Sequence, residues 1–466
     1  MASKLIREPA LYIGGRWVPG GGTDRDVENP ATEITTGLVT QASRADVDQA
    51  AAAAHTALDG WRATPVGDRA AALRRLHKII TDRADCFAAL ITREQGSPAP
   101  LARNLHVDTP LRVLAETADA LEQFPFRQRQ DTSVILREPV GVVATITPWN
   151  MPLHQIIVKV VPALAAGCTV VLKPSTLTPL TAFELSRAVD AAGFPPGVFN
   201  LVTGAGSDIG QRLCGHPLID HVSFTGSPAV GRQAAVAAAA TAKNLTLEVG
   251  GKSASVVLSD VSDDLLAKAV KDTVANCFLN CGQTSAALSR LIVPRVRQAQ
   301  VEEWAAAEAA RYVPGKGLGP LISAGHRFAV EGYLEPGLAK AITGTVDLPA
   351  TGYYVTPTVY SEVDPASDLA QDEVFGPVLS ILTAESDDHA VQLVNDSNYG
   401  LGGALWIEDA EQALDWAARI RAGQVAVNAA PFGPGAPIGG YKQYGSRQWI
   451  GDYRFDDMLE VKAVAL

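Results

Sequence analysis

The sequence predicts an α/β protein: a parallel sheet covered by helices, a second α/β block after it, and a small extra sheet. Three observations carry this. From residue 141 onward, short β-branched runs alternate with helix-forming stretches, as strands joined through crossover helices do. The 466 residues are 47% hydrophobic and 19% charged, apolar mass for roughly two to four domains. Two strand-like segments, 123–140 and 458–466, lie outside both blocks, which predicts a third sheet whose open edges another subunit can cover. No period of 20–50 residues runs through the chain, so repeat architectures are excluded.

The elements follow in order. Leu11 to Val18 reads as a hairpin around Gly14-Gly15. Ser43, with Asp46 three residues on, starts an alanine-rich helix over 46–58. A longer helical stretch covers 68–95 and breaks near Gly96-Ser97-Pro98. The strand runs are Val142–Thr147, Thr169–Leu172, Phe199–Thr203, Val222–Thr225 and Leu245–Val249, with helices near 153–166, 178–193, 207–214 and 228–241. Parallel sheets of this kind bind ligands at the carboxyl ends of their strands. The second block runs from about 250 to 440; its helix at 410–421 puts Ala413, Trp416, Ala417 and Ile420 on one face and stops at Gly423.

Composition excludes several classes. The net charge is −11, from 39 basic and 50 acidic residues, with no basic field for nucleic acid. Lys159 and Pro162 interrupt the apolar run from Ile156 to Leu172, and the N-terminus shows no export signal, so no membrane role is expected. Cys86, Cys168, Cys214, Cys277 and Cys281 form no C-x-x-C pair, which fits a reducing, cytoplasmic setting. The eight histidines form no H-E-x-x-H, and no protein-bound metal is expected.

Several strand-end turns carry chemistry. Phe224-Thr225-Gly226-Ser227-Pro228-Ala229-Val230-Gly231 follows a strand and opens a helix, where glycine admits a phosphate and the helix N-terminus favours negative charge. Its G-x-x-x-x-G spacing is not the dinucleotide fingerprint, and an ordinary turn explains it equally well. Lys173 in Leu172-Lys173-Pro174-Ser175-Thr176 can hold a ribose hydroxyl or a phosphate. Asn150 sits at a strand end near Pro148 and Pro152, a rigid donor for a developing oxyanion. Glu248, beside Gly250-Gly251, is placed as a general base. Phe278-Leu279-Asn280-Cys281-Gly282-Gln283-Thr284-Ser285 and Glu373-Val374-Phe375-Gly376-Pro377 complete the set.

Taken in this order, the motifs resemble the aldehyde dehydrogenase superfamily. The resemblance runs from Tyr12-Ile13-Gly14-Gly15-Arg16-Trp17 and Asn29-Pro30-Ala31-Thr32 to Pro437-Ile438-Gly439-Gly440-Tyr441-Lys442. It implies a Rossmann-like cofactor-binding domain (1–120 and 141–248), an α/β catalytic domain (249–445), and bridging or oligomerisation segments (121–140 and 446–466) that assemble a homodimer or homotetramer. The chemistry it implies is NAD(P)-dependent oxidation of an aldehyde to the acid through a cysteine-bound thiohemiacetal and thioester. Asn150 matches the oxyanion asparagine, Glu248 the base for deacylating water, and Lys159 a lysine assisting proton movement. Matching positions for the cofactor are Ile146, Thr147, Pro148, Trp149, Lys173, Ser175, Thr176, Gly206, Gly210, Phe224, Thr225, Gly226, Ser227, Val230, Glu248, Val249, Gly250, Glu373 and Phe375. Glu373 would hold the nicotinamide ribose.

Three departures from the family pattern follow. The family motif Gly-Gln-x-Cys has serine here, Ser285, in the place of the nucleophilic cysteine. A thiol ionises near pH ~8.5, whereas an unassisted serine hydroxyl does so far above neutral pH. Cys281 and Cys277 are read as structural. Asn150, Glu248, Gln283 and Glu373 are intact, which favours a deliberate Cys-to-Ser replacement, leaving an inactive chain, over a natural serine. Second, Thr176 stands where many NAD-preferring members carry glutamate; NADP is slightly favoured and NAD is also admitted. Third, Met151, Gln155, Val158, Leu279, Thr284 and Phe432 are expected to line the substrate channel. Small Val158 and the lack of Arg or Lys there point to a neutral, fairly bulky aldehyde. The alternatives are a catalytically silent cofactor- or aldehyde-binding protein with a natural serine, and a serine esterase, which lacks G-x-S-x-G.

Overall fold

The computed structural model describes residues 5–335, 337–433, 435–445 and 453–466; residues 1–4 of the expected first domain and 446–452 of the expected bridging segment lie outside it. The first sheet has at its heart five parallel strands in the order Asn244–Val249, His221–Gly226, Val142–Ile146, Thr169–Lys173, Phe199–Leu201. Val142–Ile146 and Thr169–Lys173 are buried along their whole length, which is why they read as continuous apolar runs rather than alternating ones. The hairpin Ala10–Ile13 and Arg16–Pro19 extends the edge antiparallel, through Tyr12 paired with Leu201.

Helices cover both faces. Pro152–Ala166 starts on a proline whose missing N–H costs nothing there and ends on Gly167 at φ 99. All its residues from Ile156 to Ala166 are buried, packed with Leu73 and Leu76 of Val66–Asp82 and with Leu114 and Leu121 of Thr109–Gln123. Each such aliphatic side chain contributes about 1.5–3 kcal/mol by leaving water. This packing accounts for the apolar run that resembles a short membrane span; among the described residues no helix is long and apolar enough to cross a bilayer. On the other face, Ala50, Ala51 and Ala54 of Arg44–Arg62 meet Val142 and Val171. Ser43 caps that helix reciprocally with Asp46.

The second sheet runs Lys340–Ala341, Thr358–Ser361, Val378–Ala384, Leu288–Pro294, Ser253–Val257, Gly402–Trp406, Gln424–Val427, parallel except for its first strand. The two outlying segments pair as expected: Leu459–Ala465 runs antiparallel to Ser133–Pro139, and Arg127–Gln130 completes that sheet.

Several elements differ from expectation. A fourth sheet, Ile6–Glu8, Ile34–Thr40 and Asp24–Asn29, went unassigned because its polar residues hide the alternation. The stretch 68–95 is two helices, Val66–Asp82 and Ala84–Glu94, parted at Arg83. The region 207–214 opens with a π-helical turn, Gly206–Gly210, and the helix at 410–421 shrinks to Ala413–Ala418.

Candidate active site

The chain fills the first sheet from Val142–Ile146 outward to Phe199–Leu201, then crosses back to place His221–Gly226 on the other side. At such a reversal the strand ends open a crevice. There the structure has a cavity of about 500 Å³, walled on one side by Pro148, Trp149, Asn150, Thr225, Gly226, Ser227, Glu248 and Gly250. The opposite wall comes from the second domain: Thr284, Ser285, Ala286, Glu373, Val374 and Phe375.

Backbone geometry forces this approach. After helix Asp263–Phe278, Asn280, Cys281 and Gly282 all take positive φ (54, 58 and 71°), a sharp left-handed turn. A Cβ on Gly251 would lie 2.0 Å from the Ser285 carbonyl oxygen, so only glycine lets the 285 loop pack on the end of the first sheet.

The Asn150 side of the cavity is held by a buried amide network. Asn150 Nδ2 donates to the Gln283 carbonyl at 2.9 Å, and Asn280 Nδ2 donates to the Asn150 carbonyl at 3.0 Å. Asn280 Oδ1 accepts from Gln95 Nε2 and Ser97 Oγ, both at 3.1 Å. Gln283 Oε1 accepts from Ile322 N at 2.9 Å. One Asn150 amide hydrogen remains for a ligand oxygen. The Ser285 hydroxyl, partly open to the cavity, has no hydrogen-bond partner among the described residues. No base is bonded to it, which leaves the esterase alternative without a proton relay.

Glu248 is anchored twice: Lys159 Nζ lies 2.8 Å from Oε1, and Thr225 Oγ1 donates to Oε2 at 2.8 Å. Lys159 also donates to Ser223 Oγ at 3.3 Å. Both charges are almost fully buried, so each depends on the other for compensation.

Glu373 Oε1 accepts from Gly251 N at 2.8 Å. Burial pushes its carboxyl up to about 7, against the downward pull of that hydrogen bond and of Lys252. A Cβ on Gly250 (φ 69) would come 3.0 Å from Glu373 Oε2, so the Gly250-Gly251 turn cradles the carboxylate. Phe375, at φ 56, sets its ring edge-on to Trp149 at 5.5 Å, and His326 Nε2 lies 2.8 Å from its carbonyl. Burial holds the His326 imidazole below its ordinary range. A carboxylate acceptor, an aromatic wall and a glycine-lined strand end in one crevice suit a nicotinamide dinucleotide.

The other expected residues fall around this centre. Met151 and Gln155 border the cavity with the residues above. Lys173 Nζ is buried on the carbonyls of Pro174 (2.8 Å) and Gly204 (3.2 Å), and burial lowers it to about 8. Ser175 Oγ accepts from Leu177 N in the turn. Thr176 lines a separate small crevice with Arg25 and Thr203. Gly206 and Gly210 bound the π-helical turn, and Val230 is exposed on helix Pro228–Ala239. Ile146, Thr147, Phe224 and Val249 are buried behind the wall. Val158 is buried one helical turn deeper than Gln155, Leu279 is half-buried in the turn that follows helix Asp263–Phe278, and Phe432 is exposed; none of the three borders the cavity. Cys281 is buried off the cavity, its thiol pushed up by burial, and Cys277 Sγ sits 3.3 Å from the Val378 carbonyl, both in structural positions.

Sequence reasoning missed His154, His326, Tyr333, Gln424 and Tyr444, which also line the cavity. His154 was within reach, since it neighbours Gln155 just after the Asn150 turn. Tyr444 was too, two residues past the Pro437–Lys442 motif; His326, Tyr333 and Gln424 come from distant segments with no local motif.

This fold and crevice define a two-domain dehydrogenase architecture, with a dinucleotide-type sheet facing the loop that bears Ser285. The chain belongs to the aldehyde dehydrogenase family, whose family model matches residues 17–464. It is 41% identical to a 3-succinoylsemialdehyde-pyridine dehydrogenase from a Pseudomonas species, over 97% of this chain and 98% of that one. Among solved structures it is similar to a cysteine-to-alanine mutant of aldehyde dehydrogenase C from Pseudomonas syringae in complex with NAD+ and octanal. That match has TM-score 0.95 and 42% identity, covering 98% of this chain and 96% of that one. A Mycobacterium tuberculosis aldehyde dehydrogenase complexed with NAD+ matches at TM-score 0.94 and 36% identity, covering 99% of each chain.

Proposed function

We propose that this chain carries the site of an NAD(P)-dependent aldehyde dehydrogenase whose turnover is blocked at Ser285. The observation that supports it most is the convergence of Ser285, Asn150, Glu248 and Glu373 on one cavity. A bound dinucleotide supplies the hydride acceptor for the aldehyde carbon. Glu373 and the Gly250-Gly251 turn hold its ribose, and Trp149 and Phe375 wall the ring; Lys173 donates to a second ribose hydroxyl once it leaves its backbone carbonyls.

Position 285 delivers the nucleophile. The free Asn150 N–H receives the charge developing on the aldehyde oxygen. Glu248, released from Thr225 and Lys159, turns toward the cavity and takes a proton from the water that frees the acid. Lys159 balances Glu248 while it is buried. Serine fails at the first step only, because nothing near it lowers the cost of removing its proton.

For the nucleotide, the solved relatives hold NAD+; use of NADP as well is supported here by Thr176 and by Arg25, the cation in the same crevice. The substrate is a neutral aldehyde. We assign 1–120 and 141–248 to nucleotide binding, 249–445 to the nucleophile domain, and 121–140 with 446–466 to a bridge. The strands Arg127–Gln130 and Leu459–Ala465 are the edges of their sheet, and they support assembly of two or four copies. The five free cysteines support a cytoplasmic setting.

The test compares this chain with its Ser285→Cys variant for aldehyde-dependent reduction of NAD+ and NADP+. We expect at least a thousandfold rise in turnover with cysteine. If both stay inactive while still binding nucleotide, the silent binding protein replaces this reading.

A further inference from the structure

The amide network behind Asn150 continues well past the residues that touch the cavity. Ser97 lies in the break between helices Ala84–Glu94 and Ala99–Arg103, and His106 lies in the π-helical turn Asn104–Asp108. Gln95, Ser97, His106 and Asn280 are all buried, and none of the four borders the cavity. Ser97 Oγ is the node: it is 2.5 Å from Gln95 Oε1, 3.1 Å from Asn280 Oδ1 and 2.9 Å from His106 Nε2. Both amide oxygens can only accept, so the single Ser97 hydrogen goes to them and His106 must donate through Nε2–H. Burial holds the imidazole down at about 4, so it is a neutral donor. Ser97 N donates to Gln95 Oε1 at 2.9 Å, which turns Gln95 Nε2 to Asn280 Oδ1 at 3.1 Å. Asn280 Nδ2 is thereby left facing the carbonyls of Asn150 (3.0 Å) and Gln283 (3.3 Å). A reversed Asn280 amide would set oxygen against oxygen on that side and N–H against N–H on the other. The Gln283 carbonyl also takes one Asn150 Nδ2 hydrogen at 2.9 Å. The bonds thus run from a histidine in the N-terminal helices, through the loop bearing Ser285, to the amide whose second hydrogen is left for a ligand oxygen.

We infer that Ser97, with His106 behind it, is a positioning residue for the oxyanion step: it sets the Asn280 amide, which sets the carbonyls of Asn150 and Gln283 and so the aim of the Asn150 donor at the aldehyde oxygen. The inference rests on the aldehyde dehydrogenase reading and adds to it a residue that never meets the substrate. A preorganised donor stabilises the developing charge only from the right place, and a displacement of about 1 Å costs on the order of a hundredfold in rate. The hydroxyl at 97 is the one group that meets Gln95, Asn280 and His106 together. Without it, all three lose a partner in the interior, and one of the two bonds that orient Asn280 Oδ1 is gone.

The test is a double-mutant cycle in the Ser285→Cys background, read as the single-turnover rate of NADH formation at saturating octanal. Ser97→Ala should slow that rate about tenfold, with the NAD+ Kd and the octanal KM within about twofold of the parent's. Asn150→Ala removes the donor itself, so adding Ser97→Ala to it should cost less than about twofold more. An unchanged rate in Ser97→Ala, an equal loss with and without Asn150, or a loss carried by KM or Kd overturns the inference. Should Ser97→Ala fail to fold, His106→Leu, which removes the donor to Ser97 Oγ, carries the same cycle from the far end, with a loss of about threefold that again vanishes in Asn150→Ala. If the Ser285→Cys form turns over no aldehyde, the dehydrogenase reading fails separately. Hydrogen exchange on the Ser285 chain then decides the positioning: faster exchange in Ser97→Ala confined to residues 279–286 upholds it, and unchanged or uniformly faster exchange rejects it.

Discussion

The proposed role of Glu373 at the nucleotide ribose predicts an affinity that depends on pH. Its carboxyl is raised to about 7, chiefly by burial, with one oxygen on Gly251 N. A ribose diol donates hydrogen bonds, so the ionised form is the one that binds it. With an ionisation midpoint of 7, about 9% of the free protein is competent at pH 6 and about 91% at pH 8. Apparent affinity scales with the competent fraction, so the Kd for NAD+ should fall about tenfold across that interval. Binding should also release about three-quarters of a proton at pH 6.5.

The sign for stability is opposite. The folded nucleotide-free protein holds this proton more tightly than the unfolded chain, whose carboxyl ionises near 4.5. The group's contribution is therefore fully present below pH 4.5 and is lost as pH rises through 7, about 3 kcal/mol in all. The assay is calorimetric titration of NAD+ into the Ser285 chain at constant ionic strength, in buffers of differing ionisation enthalpy, alongside Glu373→Gln. The variant should bind more weakly at pH 8 and lose most of the slope. An unchanged slope in Glu373→Gln, or a flat profile in the parent, would refute the assignment of Glu373 to the ribose.

Three more expectations follow from the geometry. Gly251→Ala places a methyl 2.0 Å from the Ser285 carbonyl, backbone against backbone, so in the Ser285→Cys background kcat should drop at least a hundredfold while circular dichroism stays near the parent's. Glu94 is buried and accepts from Leu180 N at 2.6 Å and Thr181 N at 2.9 Å at the start of helix Leu180–Ala191; Glu94→Ala should cost about 2–3 kcal/mol in denaturant unfolding by orphaning both donors. In the Ser285→Cys background, Thr176→Glu puts a carboxylate into the crevice that holds Arg25, and the ratio of NAD+ to NADP+ efficiency should rise at least tenfold.

How far the sequence was legible differs by element. The parallel strands of the first sheet were readable because burial on both faces forces unbroken β-branched runs such as Val142–Ile146. The hairpin at Gly14-Gly15 and the Ser43 cap were readable because each is a local event, completed within a few residues. Asp24–Asn29 was not, since all its residues but Val27 are polar and, as an edge strand paired only with Ile34–Thr40, it buries little of its length. The same rule governs the site. Asn150, Glu248, Ser285 and Glu373 sit in short motifs at strand or loop ends, so order and spacing expose them. His326 is placed by contact with Phe375, 49 residues away in sequence, and no local pattern announces it. Lys173 shows the limit from the other side: its motif is plain, yet its ammonium rests on backbone carbonyls, an arrangement only coordinates reveal.

The consequence of serine at 285 can be separated from the rest of the site on the same grounds. The loop bearing it is fixed by Asn280, Gln283, Gly251 and the left-handed turn at 280–282, none of which involves the residue-285 side chain. The Ser285 hydroxyl itself has no hydrogen-bond partner among the described residues, so exchanging its oxygen for sulfur removes no contact that holds the backbone. What changes is ionisation, since a thiol reaches its anion near pH ~8.5 and a hydroxyl far above it. The two forms should therefore bind nucleotide and aldehyde alike while differing in turnover. A large change in NAD+ affinity on Ser285→Cys would mean that residue 285 shapes the pocket, and the proposed block would then be conformational rather than chemical.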